Sequence, residues 1–264
     1  MNLQFLIIDP QNDFANPNGS LFVPGADKDS DRLVEMMNRH LSKIDEIHIT
    51  LDTHHLLDIA HPLFWIDTKS KHPAPFTCIT LDDVQNGKWQ TSIPSFQERA
   101  FAYVKTLKKN GRYDLIIWPP HCLIGSHGNN VVSPIADIVL GWERTQFAMV
   151  DYVTKGLNIW TEHYSAVEAN VPDPDDKNTQ LNTRLIENLE SADIIAISGQ
   201  ALSHCVANTV RDIANNFGEE NIRKMVLIED TSSSVPSFEH LGQDFVVEMK
   251  ARGMQTALST DYLV

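Results

Sequence analysis

Short apolar runs recur along the chain, and most are followed by segments with helical spacing. LQFLIID (3–9), EIHITLD (46–52), YDLIIWP (113–119), FAMVDYV (147–153), DIIAISG (193–199), KMVLIED (224–230) and TALSTDYL (256–263) read as strands. The middle ones are continuously apolar, as expected of strands covered on both faces. Between them, SDRLVEMMNRHLSKI (30–44) places Leu33, Met36, Met37 and Leu41 on one helix face, with Ser30 or Asp31 as its cap. SFQERAFAYVKTLKKNG (95–111) starts after Pro94 and ends at Gly111 with lysines in its last turn. NTRLIENLESA (182–192), SHCVANTVRDIANNFG (203–218) and SFEHLGQDFVVEMKARG (237–253) complete the helices. Strands alternating with helices predict an α/β fold, a parallel sheet with helices on both sides.

Two stretches break this rhythm. Residues 55–94 carry several prolines and little periodicity, apart from a candidate strand at FTCITL (76–81), and residues 170–181 read as an acidic exposed loop. Loops of this length often serve as lids or interfaces.

Composition narrows the class. The 264 residues suit one large domain or a domain with an insertion, and 42% hydrophobic with 21% charged residues is ordinary globular usage. A formal charge of −14 without a Lys/Arg-rich stripe argues against nucleic-acid binding. No apolar run approaches the roughly 20 residues of a membrane span. The N-terminal LQFLII is too short for a signal-peptide core, so a cytoplasmic protein without membrane partners is expected. Cys78, Cys122 and Cys205 are odd in number and widely spaced, which implies no disulfide framework and leaves each as a core residue or a reactive thiol.

In open parallel sheets, ligands bind outside the carboxyl ends of the strands. Asp9 ends the first apolar run, Asp52 the second, His121 lies just past the third, Lys155 follows the fourth, and Cys205 opens the helix after the fifth. With Ser203 as N-cap, Cys205 falls in the first helical turn, where free N–H groups and the dipole favour a thiolate and can hold an oxyanion. Asp9 can take and return a proton, and a Lys155 ammonium stabilises the thiolate. Each has an ordinary alternative: a structural thiol, a turn aspartate before Pro10, a solvated lysine before Gly156. Asp52, His54 and His121 together suit a divalent transition metal with open positions, with His61 as a further candidate ligand, although each histidine alone would read as a loop residue. No G-x-G-x-x-G follows the first strand, which argues against a nicotinamide-cofactor dehydrogenase.

IDPQNDF (8–14), D-T-H (52–54), WPPHC-x-x-G-x-x-G (118–128), KG (155–156) and SHCVANTVRD (203–212) stand in the order found in isochorismatase-like cysteine hydrolases, and the chain resembles their nicotinamidase/pyrazinamidase branch over nearly its whole length. The resemblance implies a three-layer α/β/α fold with a six-stranded, mainly parallel, doubly wound sheet. It implies an Asp9–Lys155–Cys205 triad and one divalent metal ion (Zn, Fe or Mn) on Asp52, His54 and His121. It implies a cis peptide between Gln200 and Ala201, oxyanion donors at Ala201 and Cys205, and Phe14 and Trp118 lining the pocket. The expected reaction is hydrolysis of a small-molecule amide, nicotinamide to nicotinate and ammonia, a step of NAD salvage, in a homo-oligomer. Ser203 stands where nicotinamidases usually carry Asp, and His61 lies one residue beyond the usual ligand spacing. Residues 66–112 form an insertion into a domain spanning 1–264, and 157–181 also run long. Another small amide, a carbamoyl compound, isochorismatase chemistry or a non-catalytic binding role are the competing readings.

Overall fold

The computed structural model describes residues 1–111 and 113–262. The run LQFLII folds as β1 (Leu3–Ile8), and its apolar side chains are wholly buried because helices cover both faces of the sheet. The other strands are β2 (Glu46–Asp52), β3 (Asp151–Lys155), β4 (Ile194–Gly199), β5 (Met225–Ile228) and β6 (Gln255–Ala257). They lie in the order β6-β5-β4-β1-β2-β3, and every neighbouring pair is parallel. The helices are α1 (Asn12–Ala15), α2 (Ala26–His40), α3 (Leu81–Gln85), α4 (Gln97–Asn110), α5 (Ser133–Gln146), α6 (Thr183–Glu190), α7 (Ala207–Phe217) and α8 (Glu239–Ala251). α2 packs beside α5, while α6 packs against α7 and α7 against α8. The strand order reverses between β1 and β4, and that switch point opens a crevice at their carboxyl ends.

Several expected elements differ. The 113–119 run is not a sheet strand: Leu115–Ile116 pair antiparallel with Cys78–Ile79 in a separate ribbon. The place beside β2 belongs to β3, in a register that sets Asp52 opposite Lys155. Pro119 and Pro120 offer no N–H to a ladder, so the chain instead runs past the end of β2, where His54 bridges Leu123. The fourth strand lies at Asp151–Lys155 rather than 147–153, because α5 runs to Gln146 and Phe147 turns in the left-handed region. The last strand is confined to Gln255–Ala257, and Leu263 of the expected 256–263 run lies outside the described residues. α2 begins at Ala26 after Gly25, so Ser30 and Asp31 are interior rather than caps, and the Ser30 hydroxyl donates to the Ala26 carbonyl.

Gly199 ends β4 at φ +118, and a Cβ there would stand 2.0 Å from the Ile8 carbonyl oxygen. Gly199→Ala therefore forces β1 and β4 apart where the crevice opens. The expected cost is about 3 kcal/mol or more, read as a lower urea midpoint at unchanged slope.

Candidate functional site

β1 ends at Ile8, and Asp9 just beyond it, at φ +45, turns the chain sharply ahead of Pro10. Its backbone N–H donates to the Thr50 hydroxyl on β2 (3.0 Å), and that hydroxyl donates to Asp9 Oδ1. Lys155, at the end of β3, lies 3.0 Å from Asp9 Oδ2, 2.9 Å from Asp52 Oδ1 and 3.6 Å from Cys205 Sγ. All four side chains are buried. Gly156 permits this closeness: at φ +85, an added Cβ would press to 3.0 Å on Asp52 Oδ1.

The polar residues of IDPQNDF hold the opposite loops. Gln11 grips the backbone of Asp52, receiving its N–H (2.7 Å) and donating to its carbonyl (2.6 Å). Asn12 donates to the carbonyls of His127 and Asn130. The Asp13 carboxylate receives the N–H of Cys122 (2.7 Å), fixing the turn that carries His121. Gly128 leaves room for that carboxylate, since a Cβ would meet it at 2.0 Å. Phe14 then sets its ring edge-on to His121, 5.4 Å between centroids.

Charge sorts the triad. Burial works against a charged Lys155, but Asp52, Asp9 and Cys205 together hold its pKa well above the ordinary lysine value. Burial raises Asp9 above the usual carboxylate value although Lys155 pulls the other way. Burial also pushes the Cys205 thiol well up, against Lys155 and with Asp9. Desolvation thus works against the thiolate that the Lys155 ammonium favours. The capping expectation, however, is corrected. Residues 202–206 form a wide turn in which Val206 N–H reaches back to the Ala201 carbonyl; Ser203 lies inside that turn and caps nothing. The Gln200–Ala201 peptide is cis. Gln200 is anchored by donating to Asp29 Oδ2 (2.9 Å) and receiving Ser233 N–H.

Beside the triad, ligand atoms of Asp52, His54 and His121 lie within 4.8 Å of one another. His54 Nδ1 faces Asp58 (3.1 Å), His121 Nδ1 faces the Pro119 carbonyl (2.9 Å), and His61 Nδ1 faces the His55 carbonyl (3.1 Å). Each Nδ1 must donate to such acceptors, which leaves a lone pair on each neutral ring's Nε2. Two of those, on His54 and His121, point at Asp52 Oδ2 at 3.0 and 3.2 Å. His61 lies tilted against the His54 ring and edge-on to that of His121, and its Nε2 is buried without a partner among the described residues. Burial opposes a charged His54, but Asp52 and Asp58 hold its pKa well above the ordinary value, so without an ion the ring donates to Asp52. In neutral rings the same Nε2 atoms present lone pairs beside the carboxylate, a donor set that fits a divalent metal. Burial disfavours ionised Asp52, yet the charges of His54 and Lys155 and the His121 bond keep its pKa well below the carboxylate range.

A slot of about 30 Å³ joins these groups, lined by Phe14, Trp118, Tyr164, Ala201, His204 and Cys205, with Asp52, His121 and Glu162 at one end. Phe14 and Trp118 thus share a wall with Cys205. Glu162, Tyr164, His204, Thr50 and Asp58 were missed from sequence. Glu162 is buried, with Oε2 unpartnered and its pKa raised first by burial. Its only signal was a carboxylate beside H-Y shortly after Lys155-Gly156. α4 contributes here as well, since Glu162 N–H donates to the Tyr103 hydroxyl (3.2 Å).

No family model matches the chain, and no curated protein matches it in sequence. Solved structures do. The yeast nicotinamidase aligns at TM-score 0.65 and 20% identity, covering 97% of this chain and 99% of that one. A nicotinamidase/pyrazinamidase of Acinetobacter baumanii aligns at 0.66 and 20%, over 99% and 98%. The pyrazinamidase of Pyrococcus horikoshii in complex with zinc aligns at 0.57 and 18%, over 98% and 99%. By its sheet order and its alignment over the full length of these structures, the chain has the α/β fold of the nicotinamidases and pyrazinamidases it is similar to.

Proposed function

We propose that the chain is a cysteine amidohydrolase that cleaves a small planar carboxamide, nicotinamide first among them, to its acid and ammonia. The observation that carries this is Lys155 in contact with Asp9, Asp52 and Cys205 at once, which couples a thiol and proton acceptor to a metal-fit cluster. The names of the yeast and Acinetobacter neighbours support nicotinamide as the first substrate to try, and the zinc of the Pyrococcus neighbour supports a divalent ion. The slot's apolar walls and small volume favour a flat ring over a branched acyl group.

The Cys205 proton passes to Asp9, whose raised pKa suits it to accept, as sulfur attacks the carboxamide carbon. Backbone N–H groups of Ala201 and Cys205 receive the oxyanion. Asp9 returns the proton to the departing ammonia, leaving a thioester on Cys205, and then takes a proton from the water that hydrolyses it. Lys155 stays protonated throughout and compensates each negative charge that forms beside it. When bound, a divalent ion on Asp52, His54 and His121, with His61 adjacent, supplies a Lewis-acid site for a ring nitrogen or a water. Residues 66–112 are an insertion within one domain spanning 1–264, and through Tyr103 they buttress the wall that holds Glu162.

Purified protein given nicotinamide, pyrazinamide and a panel of small amides and carbamoyl compounds should release ammonia from at least one. Nicotinamide is expected at the top. Release only from a carbamoyl compound would keep the nucleophile and change the substrate. No helix among the described residues is long and apolar enough to cross a membrane.

A further inference from the structure

A second pocket, of about 260 Å³, lies between β3, the start of α6 and the chain that joins them, and it shares no lining residue with the slot. Its lining carries two cations, Lys177 and Arg184, and no carboxylate, in a chain whose formal charge is −14. Two neighbouring carboxylates are already engaged: Asp151 by Arg184 and His48, and Asp176 by the Asn158 amide and the Asn178 N–H. Lys177 Nζ has no ion pair or hydrogen bond among the described residues, and Arg184 commits only Nη1, to Asp151. Both cations stand exposed at the rim, while His163, which also lines the pocket, is 5% exposed. His163 Nδ1 receives the Gly156 N–H (3.4 Å). Burial, and then Lys155, lower the His163 pKa to about 3, so the ring is neutral at ordinary pH and its proton sits on Nε2. That N–H has no partner among the described residues and is not sealed from water, and the pocket is the opening that His163 lines.

We infer that this pocket binds a phosphate group, as inorganic phosphate or as the monoester of a small molecule, with Lys177 and Arg184 supplying charge and His163 Nε2–H donating to one of its oxygens. A nearly buried N–H that finds no acceptor in the fold gains one when such a ligand enters. One free ammonium and one partly free guanidinium on a single rim match the two charges of a phosphate dianion, whereas a carboxylate would leave one cation uncompensated. The hydroxyls of Thr154 and Thr183 also line the pocket and have no partners among the described residues, so donors are present for more than two oxygens. The site stands apart from the reacting groups and does not depend on the amidase reading.

Calorimetry of the purified full chain at low ionic strength should give saturable binding of inorganic phosphate or of glycerol 3-phosphate, and the tighter of the two names the source. Acetate should bind about tenfold more weakly, having one charge and two oxygens. The rim variants Lys177→Ala and Arg184→Gln alter exposed side chains and should fold, and each should raise the phosphate Kd about fivefold. His163→Phe should raise it about tenfold, the loss of one hydrogen bond. Where His163→Phe does not fold, ¹⁵N NMR of labelled histidine in the unaltered protein takes its place. Addition of phosphate should shift the His163 Nε2–H resonance, and a resonance that does not move overturns the proposal. No saturable heat with either phosphate overturns it, as does acetate binding equal to phosphate. An unchanged Kd in the Lys177→Ala/Arg184→Gln double variant places the ion elsewhere and also overturns it. None of these readouts needs turnover, so a failure of the amidase reading leaves the test intact.

Discussion

Cys205→Ala is expected to lower ammonia release by about 10⁴-fold or to below detection, because no other group can form the acyl bond. Among the described residues the other two thiols are badly placed: Cys78 is exposed on the small ribbon, and Cys122 is buried with its backbone N–H held by Asp13. The variant should fold. Lys155 keeps both carboxylates as partners at 2.9 and 3.0 Å, so no buried charge is stranded, and losing one sulfur costs on the order of 1 kcal/mol. Calorimetry should find substrate still bound, separating loss of chemistry from loss of the site. Cys205→Ser should be nearly as inactive, since Asp9 would then have to accept a proton from a far weaker acid. Retained turnover in Cys205→Ala would sink the nucleophile assignment.

The sheet edge was readable because apolar runs have abrupt ends. Asp9, Asp52 and Lys155 are the first charged residues after their runs, and in a parallel sheet such ends collect on one side. The third run misled because Leu115, Ile117 and Trp118 are buried as a strand would be, while their backbone partners come from residues 60–79. Apolar content reports burial; it does not say which backbone supplies the ladder. α5 was missed for a related reason. SPIADIVLGWERTQ carries Pro134 and Gly141, which suggest loop, yet the proline sits in the first turn, where no N–H is needed.

Partners in the site were harder to read than the reacting groups. Thr50 faces Asp9 from the adjacent strand, and sequence fixes neither register nor side-chain direction across strands. His204 and Tyr113 are 91 residues apart, yet their rings stack at 5.7 Å, a contact only the folded chain creates. Ser203 illustrates the difference most clearly. As a residue type it suits a helix cap, but tertiary contact gives its hydroxyl to His204 and Val235 N–H instead.

Asp52→Ala is expected to remove bound metal and to cut kcat/KM on the order of 10²-fold or more, and it should differ from His121→Ala in one respect. Asp52 has two oxygens in two jobs: Oδ2 faces His54 and His121, and Oδ1 pairs with Lys155. His121→Ala deletes a ligand and leaves the lysine pair intact. Both variants should therefore lose the ion on elemental analysis of the purified protein. In Asp52→Ala, however, Lys155 has only Asp9 and the sulfur to face, and the negative charge that helped hold the Cys205 thiol up is gone. The thiol pKa falls, and alkylation by iodoacetamide at a fixed neutral pH should run about threefold faster than in His121→Ala. Equal alkylation rates would show that the metal-fit cluster and the nucleophile are electrostatically independent. Faster labelling in the aspartate variant alone would make Asp52 the residue through which the cluster tunes Cys205.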